Sequence, residues 1–329
     1  MNRGNRIILY SDDTFEQRKN FIITTFIWGD PSSCRDFENS IRKLVKNNKT
    51  NSNHNFKVFH AYKINKRNWH NFQPLLSKVL DKLKYYLDQQ FLNMLIHIES
   101  RNKFNNNSKV IEKVLKELLL DRNSSLGNIF RYINHEDLIP LYKRSYKLYL
   151  YMYLRWKFGG PFTEFTYYPD SSGKILKYRN RKCFINDRKG PVLLPFFEII
   201  TKLFNMLAKA VNESDDLDKI GWRKAPPGQK LIKFEPKEDE QSFLIQTADI
   251  VSNLFLNLIK FKIGYKSDIS SKKAKLLLKM RSFDTILNKI EENFILKNGV
   301  CHCINKNLRV TIFFEQQNQN QSNHNVIFI

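Results

Sequence analysis

Three short acidic stretches sit where apolar runs end or turn, and their residue types suit divalent-metal chemistry. The run "IILY" closes on "SDDT", which sets Asp12 beside Asp13; "KCFIND" closes on Asp187; "FLIQTAD" carries Asp249 within an apolar helical segment. Mg²⁺ prefers hard oxygen ligands and is usually held by a few carboxylates completed by water and substrate phosphate, so acids remote in sequence suffice if a sheet and its flanking helix gather them. Two such ions about 4 Å apart activate a water and stabilise the leaving oxygen in phosphodiester cleavage. Each acid also has a plainer role open to it. Adjacent aspartates at a strand end are turn formers, because their side chains bond nearby backbone amides, and Asp187 in "INDRKG" reads equally as a turn residue. A second apolar run, "LIHIES", ends on Glu99, so the middle ligand is either Asp187 or Glu99. In the last segment Gln246, Asp249, Asn253 and Asn257 recur at three and four residues, one polar stripe on an apolar helix. That stripe either faces water or aims Asp249 at a metal, with Gln246 and Asn253 holding it by hydrogen bonds.

The elements that must position these acids alternate in type along the chain. Ile7 to Ser11 and Asn20 to Trp28 are rich in β-branched and aromatic residues and predict a hairpin. The spacing of Phe37, Ile41, Leu44 and Val45 predicts a helix from Cys34 to Lys46, followed by the polar loop "NNKTNSNHN" and a third strand, "FKVFHAY". An amphipathic helix is expected from Pro74 to about Gln90, and "FLNMLIHIES" as a buried strand. After an Asn-rich break come helices over Val110 to Leu120 and His135 to Phe158, the latter stopped by Gly159, Gly160 and Pro161. Thr163 to Arg181 reads as irregular or hairpin structure, "KCFINDRKGP" as a strand and turn, and "VLLPFFEIITKLFNMLAKAV" as a helix with an early Pro195. "KLIKFEP" is a strand that Pro236 ends, and the helix "QSFLIQTADIVSNLFLNLIKF" follows. A helix from Ser271 to about Phe294, a hairpin around Gly299 and a loose Gln/Asn-rich tail complete the chain, with no internal repeat.

In bulk, the chain's 329 residues are 42% hydrophobic and 13% aromatic, a composition that folds. Lys and Arg number 55 against 32 Asp and Glu, a formal charge of +23, and an excess of that size calls for a polyanionic partner, nucleic acid first among them. An AT-rich coding sequence, to which the Asn-rich stretches also point, would give part of the same balance. "KILKYRNRKCFINDRK" interleaves cations with aromatics around Asp187: Lys177, Arg179, Arg181, Lys182, Arg188 and Lys189 are the expected phosphate contacts and Tyr178 the stacking face. The alternative is a solvated charged loop. No apolar run approaches a membrane span and "MNRGNRIILY" lacks the core of a secretion signal, so no membrane partner and a cytoplasmic location are expected. Cys34, Cys183, Cys301 and Cys303 are too scattered for a disulfide framework, and "VCHC" reads as strand residues beside a turn rather than a zinc site.

Taken together, "YSDDT", "FIITTFIWG", "VFHAY", "FINDR" and "LIQTADIVSNL" resemble, in that order, the motifs of the domain-of-unknown-function family 3800, over roughly Arg6 to Gly264. The Gln-Thr-Ala-Asp helix is the most specific of these islands. The resemblance implies an α/β fold: a ribonuclease H-like mixed β-sheet flanked by helices over residues 1–265, with a helical insertion near 110–158 and a C-terminal helical and hairpin extension over 266–329. It implies a metal-dependent nuclease that hydrolyses phosphodiesters in RNA or DNA with Mg²⁺ or Mn²⁺, two ions being expected, in a defence or mobile-element system where a protein partner takes part. Carried over, Asp12 is the central ligand, Asp13 stands where the family has Glu, Asp187 is the ligand from the later strand, and Asp249 the ligand from the closing helix. Thr14 replaces the usual Ser, and His60 stands where the family often has a His on its third strand. The alternative is a catalytically inactive nucleic-acid-binding subunit of a larger complex.

Overall fold

The computed structural model describes residues 6–14, 21–48, 64–120, 147, 164–170, 173–187, 190–213, 230–264, 268–279, 284–298, 300–304, 309–314 and 326–328. Its elements run β1 (Arg6–Thr14), β2 (Phe21–Gly29), α1 (Pro31–Asn48), α2 (Trp69–Asp88), β3 (Leu92–Ser100), α3 (Arg101–Leu120), β4 (Glu164–Pro169), a single helical turn (Gly173–Leu176), β5 (Lys182–Asp187), β6 (Gly190–Pro195), α4 (Phe196–Glu213), β7 (Lys230–Phe234), a 3₁₀ turn (Asp239–Gln241), α5 (Phe243–Lys262), α6 (Asp268–Leu278), α7 (Asp284–Asn293), β8 (Phe294–Lys297), β9 (Val300–Cys303), β10 (Arg309–Phe314) and β11 (Val326–Phe328). Sheets flanked by helices make this an α/β protein. Two compact units share the chain: a middle unit from Asn105–Glu238 with the first seven residues, and a sheet unit from Ile8–Phe104 with Asp239–Ile329.

In the sheet unit, β1 and β2 form the expected antiparallel hairpin, with Asp12 opposite Thr25 and Asp13 opposite Thr24. β2 pairs antiparallel with β3, whose free side is taken by β10, and β11 follows β10. Every residue of β2 is buried, as a strand covered on both faces requires. Gly29 closes β2 where the next strand crowds it: a Cβ there would come within 2.6 Å of the Phe91 carbonyl and 2.8 Å of Leu92 Cδ2. The stripes of α1 and α2 pack as their spacing predicts, Cys34, Phe37, Ile41 and Val45 on one helix and Leu75, Leu76, Val79, Leu80 and Leu83 on the other. α2 begins at Trp69, more than a turn ahead of Pro74, which it tolerates inside. The expected Asn-rich break after β3 is instead the first turns of α3, because Ser100 accepts a 3.2 Å hydrogen bond from the Lys103 amide and starts the helix at once.

The third strand "FKVFHAY" with His60, the helix from His135 to Phe158 apart from Lys147, and Arg188 and Lys189 lie outside the described residues, as do residues 315–325 of the tail. The tail's other segments are strands: β10 satisfies the open edge of β3, Val310 opposite Ile98 and Ile312 opposite Ile96. Residues 266–329 fall in the sheet unit. The expected single helix after Ser271 divides into α6 and α7, while the hairpin at Gly299 forms as β8 and β9, with Cys301 and Cys303 buried on its second strand.

The middle unit holds β4 parallel to β7, so Thr163 to Arg181, expected as irregular or hairpin structure, contains a regular strand in a parallel pair. Side chains of α4 seal β7: Asn205 Nδ2 donates to the Leu231 carbonyl (2.8 Å), its Oδ1 accepts from the Leu231 amide (2.9 Å), and Thr201 Oγ1 accepts from the Phe234 amide (2.9 Å). Two α4 residues thus supply the bonds a neighbouring strand would make. β5 and β6 form a separate antiparallel two-stranded sheet. "VLLP", expected to open a helix, belongs to strand β6, and α4 starts only after Pro195. Gly190 turns the hairpin with a φ of +116°, a conformation that suits glycine alone.

Candidate metal centre

The acids are best located from the sheet outwards. β1 does not end at its aspartate pair; the ladder continues through Asp13 and Thr14, opposite Thr24 and Ile23. Successive residues of a strand point to opposite faces. Asp12 and Asp13 therefore stand back to back, and the side-by-side pair read from the sequence does not form. Asp12 is 8% exposed, and its Oδ1 accepts a 2.6 Å hydrogen bond from the Asp13 amide. Paired strand residues share a face, so Asp12, Thr25 and Ile96 look one way while Asp13, Thr24 and His97 look the other. Glu99 belongs to the second set. It is buried, 3.7 Å from His97 Nε2, on the face opposite Asp12, which removes it as a partner of that acid.

α5 covers the Asp12 face. Its Ser252 Oγ lies 2.7 Å from Thr25 Oγ1, the residue directly across from Asp12. The sequence "QSFLIQTAD" fixes where this helix begins: Ser242 caps it by accepting from the Ile245 amide at 3.3 Å. The Glu38 carboxylate of α1 accepts from the amides of Phe243 (2.9 Å) and Leu244 (3.0 Å) and from Ser242 Oγ (2.5 Å). A carboxylate at a helix N-terminus meets both the unsatisfied amides and the positive end of the helix dipole.

This start places Asp239, on the 3₁₀ turn before the cap, within 4.8 Å of Asp12, measured between carboxylate oxygens. The Asp239 carbonyl accepts from Gln246 Nε2 (2.6 Å) and from the Ser242 amide (3.2 Å), which ties the turn to the first coils of α5. The sequence reading missed Asp239. It sits in "PKEDEQ", between two glutamates, where neither strand nor helix periodicity marks it; the signal is its position three residues before a Ser cap.

Asp249 is 8% exposed and the whole stripe of Gln246, Asp249, Asn253 and Asn257 is buried, so the solvent-facing alternative does not hold. At about 100° per residue, Asp249 lies about 60° around α5 from Ser252 on one side and about 40° from Asn253 on the other. It stands between the edge that meets β2 and the edge that meets α6. On the latter, Lys273 Nζ donates to Asn253 Oδ1 (3.1 Å), Asn257 Nδ2 donates to the Asn253 carbonyl (2.7 Å) and side-chain oxygen (3.1 Å), and Ser270 Oγ donates to Asn257 Oδ1 (2.8 Å). Burial pushes the Lys273 ammonium down to about 8; the Asp249 charge works against that shift and Lys260 adds to it. Asn253 thus serves Lys273 rather than Asp249.

Asp187 is the last residue of β5, opposite Gly190 at the mouth of the β5–β6 turn, and not on a strand of the larger sheet. In the middle unit the strand that runs into a carboxylate is β4, followed by Asp170, whose backbone bridges to Lys237. Of the expected phosphate contacts, Lys177, Arg181 and Lys182 are exposed, and Arg179 Nη2 donates to the Pro236 carbonyl at 3.2 Å. Tyr178 is not an open stacking face: it is 5% exposed, its ring stacked on Phe196 at 4.7 Å with Lys177 and Arg181 over it. No helix among the described residues is long and apolar enough to cross a membrane. Comparison with protein-family models, with curated proteins and with solved structures finds no match for this chain.

Proposed function

We propose that the chain is a metal-dependent nuclease that hydrolyses phosphodiesters in RNA or DNA, with Mg²⁺ or Mn²⁺ held at the Asp12 end of the sheet unit. The observation that carries this reading is the approach of Asp12 and Asp239 to within 4.8 Å, with one of the two carboxylates buried. Like charges so close raise the energy of the folded chain unless a proton or a cation lies between them. Two hard oxygen donors on a rigid strand and a capped turn suit a small divalent ion whose remaining positions go to water and phosphate. Bound there, the ion would lower the pKa of a coordinated water and neutralise charge on the phosphoryl oxygens. The protein's part is to hold Asp12 through the Asp13 amide and to fix Asp239 through Gln246 and Ser242; among the described residues Asp249 is not in that acidic cluster. Three antiparallel strands, β1, β2 and β3, under a helix that bears Asp249 support the ribonuclease H-like reading, and the +23 charge supports nucleic acid as substrate.

The test is cleavage of labelled RNA and DNA in Mg²⁺ or Mn²⁺ by the wild type, Asp12→Asn and Asp239→Asn. Either substitution is expected to lower cleavage on the order of 10²-fold or more while salt-dependent binding persists. Undiminished metal-dependent cleavage by Asp12→Asn would refute the assignment.

A second reading, a nucleic-acid-binding subunit without turnover, is favoured by one observation: the buried Lys273 answers the charge of Asp249 from within the fold. A carboxylate already matched by an ammonium has less need of a metal. Binding of labelled nucleic acid with no cleavage in either ion would select it.

A further inference from the structure

We propose that the β5–β6 hairpin is a platform for single-stranded nucleic acid, on which an unpaired base stacks against Phe184. The polymer class is taken from the function proposed above; the strandedness and the contacting side chain come from the hairpin. Along β5 the pleat buries Cys183 and Ile185 and turns Lys182 and Phe184 outward. Phe184 is 60% exposed, and directly across from it on β6 Leu193 is 46% exposed. Pro195, opposite Lys182, and Pro191 are exposed on the same face. A large aromatic left in water on a regular strand, beside an exposed cross-strand leucine, marks a surface kept for a partner.

The charges around it state the partner's chemistry. Between Gly173 and Pro195 every charged residue except Asp187 is a lysine or an arginine. Lys177 and Arg181 are exposed at the foot of the hairpin, 5.0 Å and 5.4 Å from the ring centre of Tyr178. Tyr178 is itself stacked on Phe196, so the aromatic expected to receive a base is an anchor beneath the cations, and Phe184 takes the exposed role. Cations at the foot and an open ring on the strand match a chain that alternates phosphates with flat bases. Base faces are hidden within a duplex, so a ring used for stacking selects unpaired strands.

The experiment is fluorescence anisotropy of the full chain, in EDTA at low salt, with labelled oligo-uridine and oligo-thymidine of about 20 nucleotides and a duplex of the same length. Phe184→Ala is expected to weaken single-strand binding roughly 5- to 100-fold and leave duplex affinity unchanged, and Phe184→Trp to restore it. Equal single-strand binding by wild type and Phe184→Ala overturns the proposal and leaves the Phe184–Leu193 face to a protein partner. Loss of single-strand and duplex binding together also overturns it, as does failure of the wild type to bind single strands. These readouts need no metal, so they fail independently of the nuclease reading: Asp12→Asn abolishes cleavage if that reading holds and leaves the anisotropy of every probe where it was.

Discussion

If Asp12 and Asp239 are held together for a cation, neutralising one of them should strengthen the metal-free protein. At 4.8 Å, the upper limit of their separation, two unit charges repel by about 3.5 kcal/mol at an effective dielectric of about 20, and by about 0.9 kcal/mol if water screens them fully. Asp239 is part-exposed, so the expected gain for Asp12→Asn in EDTA lies between those limits, about 1 to 3 kcal/mol. Asparagine rather than alanine is the right change because its Oδ1 still accepts the 2.6 Å bond from the Asp13 amide. Metal reverses the order. An ion that binds only the folded state adds about 2.7 kcal/mol at a hundred times its dissociation constant, and Asp12→Asn forfeits that term. Denaturant melts of wild type and Asp12→Asn, each in EDTA and in Mn²⁺, therefore cross: the variant is the more stable without metal and the less stable with it. An Asp12→Asn protein weaker than wild type in EDTA, yet stabilised equally by Mn²⁺, would refute the reasoning, because it would make Asp12 a structural acid that no ion uses.

Three further outcomes follow from the neighbouring contacts. Glu38→Ala strips the carboxylate from the first turn of α5 and should cost about 1 to 2 kcal/mol in chemical denaturation, with the loss concentrated in the sheet unit by hydrogen exchange. Lys273, buried and held down to about 8, is protonated in both folded and unfolded chains below that value. The unfolded chain holds the extra proton between about pH 8 and about 10.4, so stability from this position rises with pH through that window, and Lys273→Met removes the rise in a pH series of melts. Asp30 takes the amides of Ser32 and Ser33 and both hydroxyls; burial pushes its pKa up, but those hydrogen bonds outweigh it and the net shift is downward. Its contribution is complete above the unfolded value of about 3.9 and is lost as pH falls through the folded one, so Asp30→Asn should flatten the acid limb while costing under about 1 kcal/mol at neutral pH.

Legibility followed periodicity. The β1–β2 hairpin, β3, the stripes of α1 and α2 and the body of α5 were readable because long apolar patterns of period two or near 3.6 leave one solution for the buried face. Elements decided by local bonds were not. The Asn-rich opening of α3 looks like a loop until Ser100 is seen capping it, and "VLLP", which runs straight into the apolar helix after it, pairs with β5 because Gly190 turns the chain back. β10, "RVTIFF", lies just ahead of the Gln/Asn-rich stretch and has a strand's composition, but its partner, the open edge of β3, is a tertiary fact. The site divided in the same way. Asp12 and Asp249 were found at the places their motifs gave, but composition cannot show that the pleat turns Asp13 away from Asp12, nor that a 3₁₀ turn swings Asp239 towards it.

The pairing of β3 with β10 also bears on how the molecule is made. Ile98 emerges from the ribosome long before Val310, its partner across the ladder, and the whole of the middle unit is synthesised in between. For that interval the nascent sheet has a bare flank open to any passing extended segment. Completion thus waits until residues 309–314 have been made, and a chain halted after Glu238 would carry its first acid without the turn and helix that give it company.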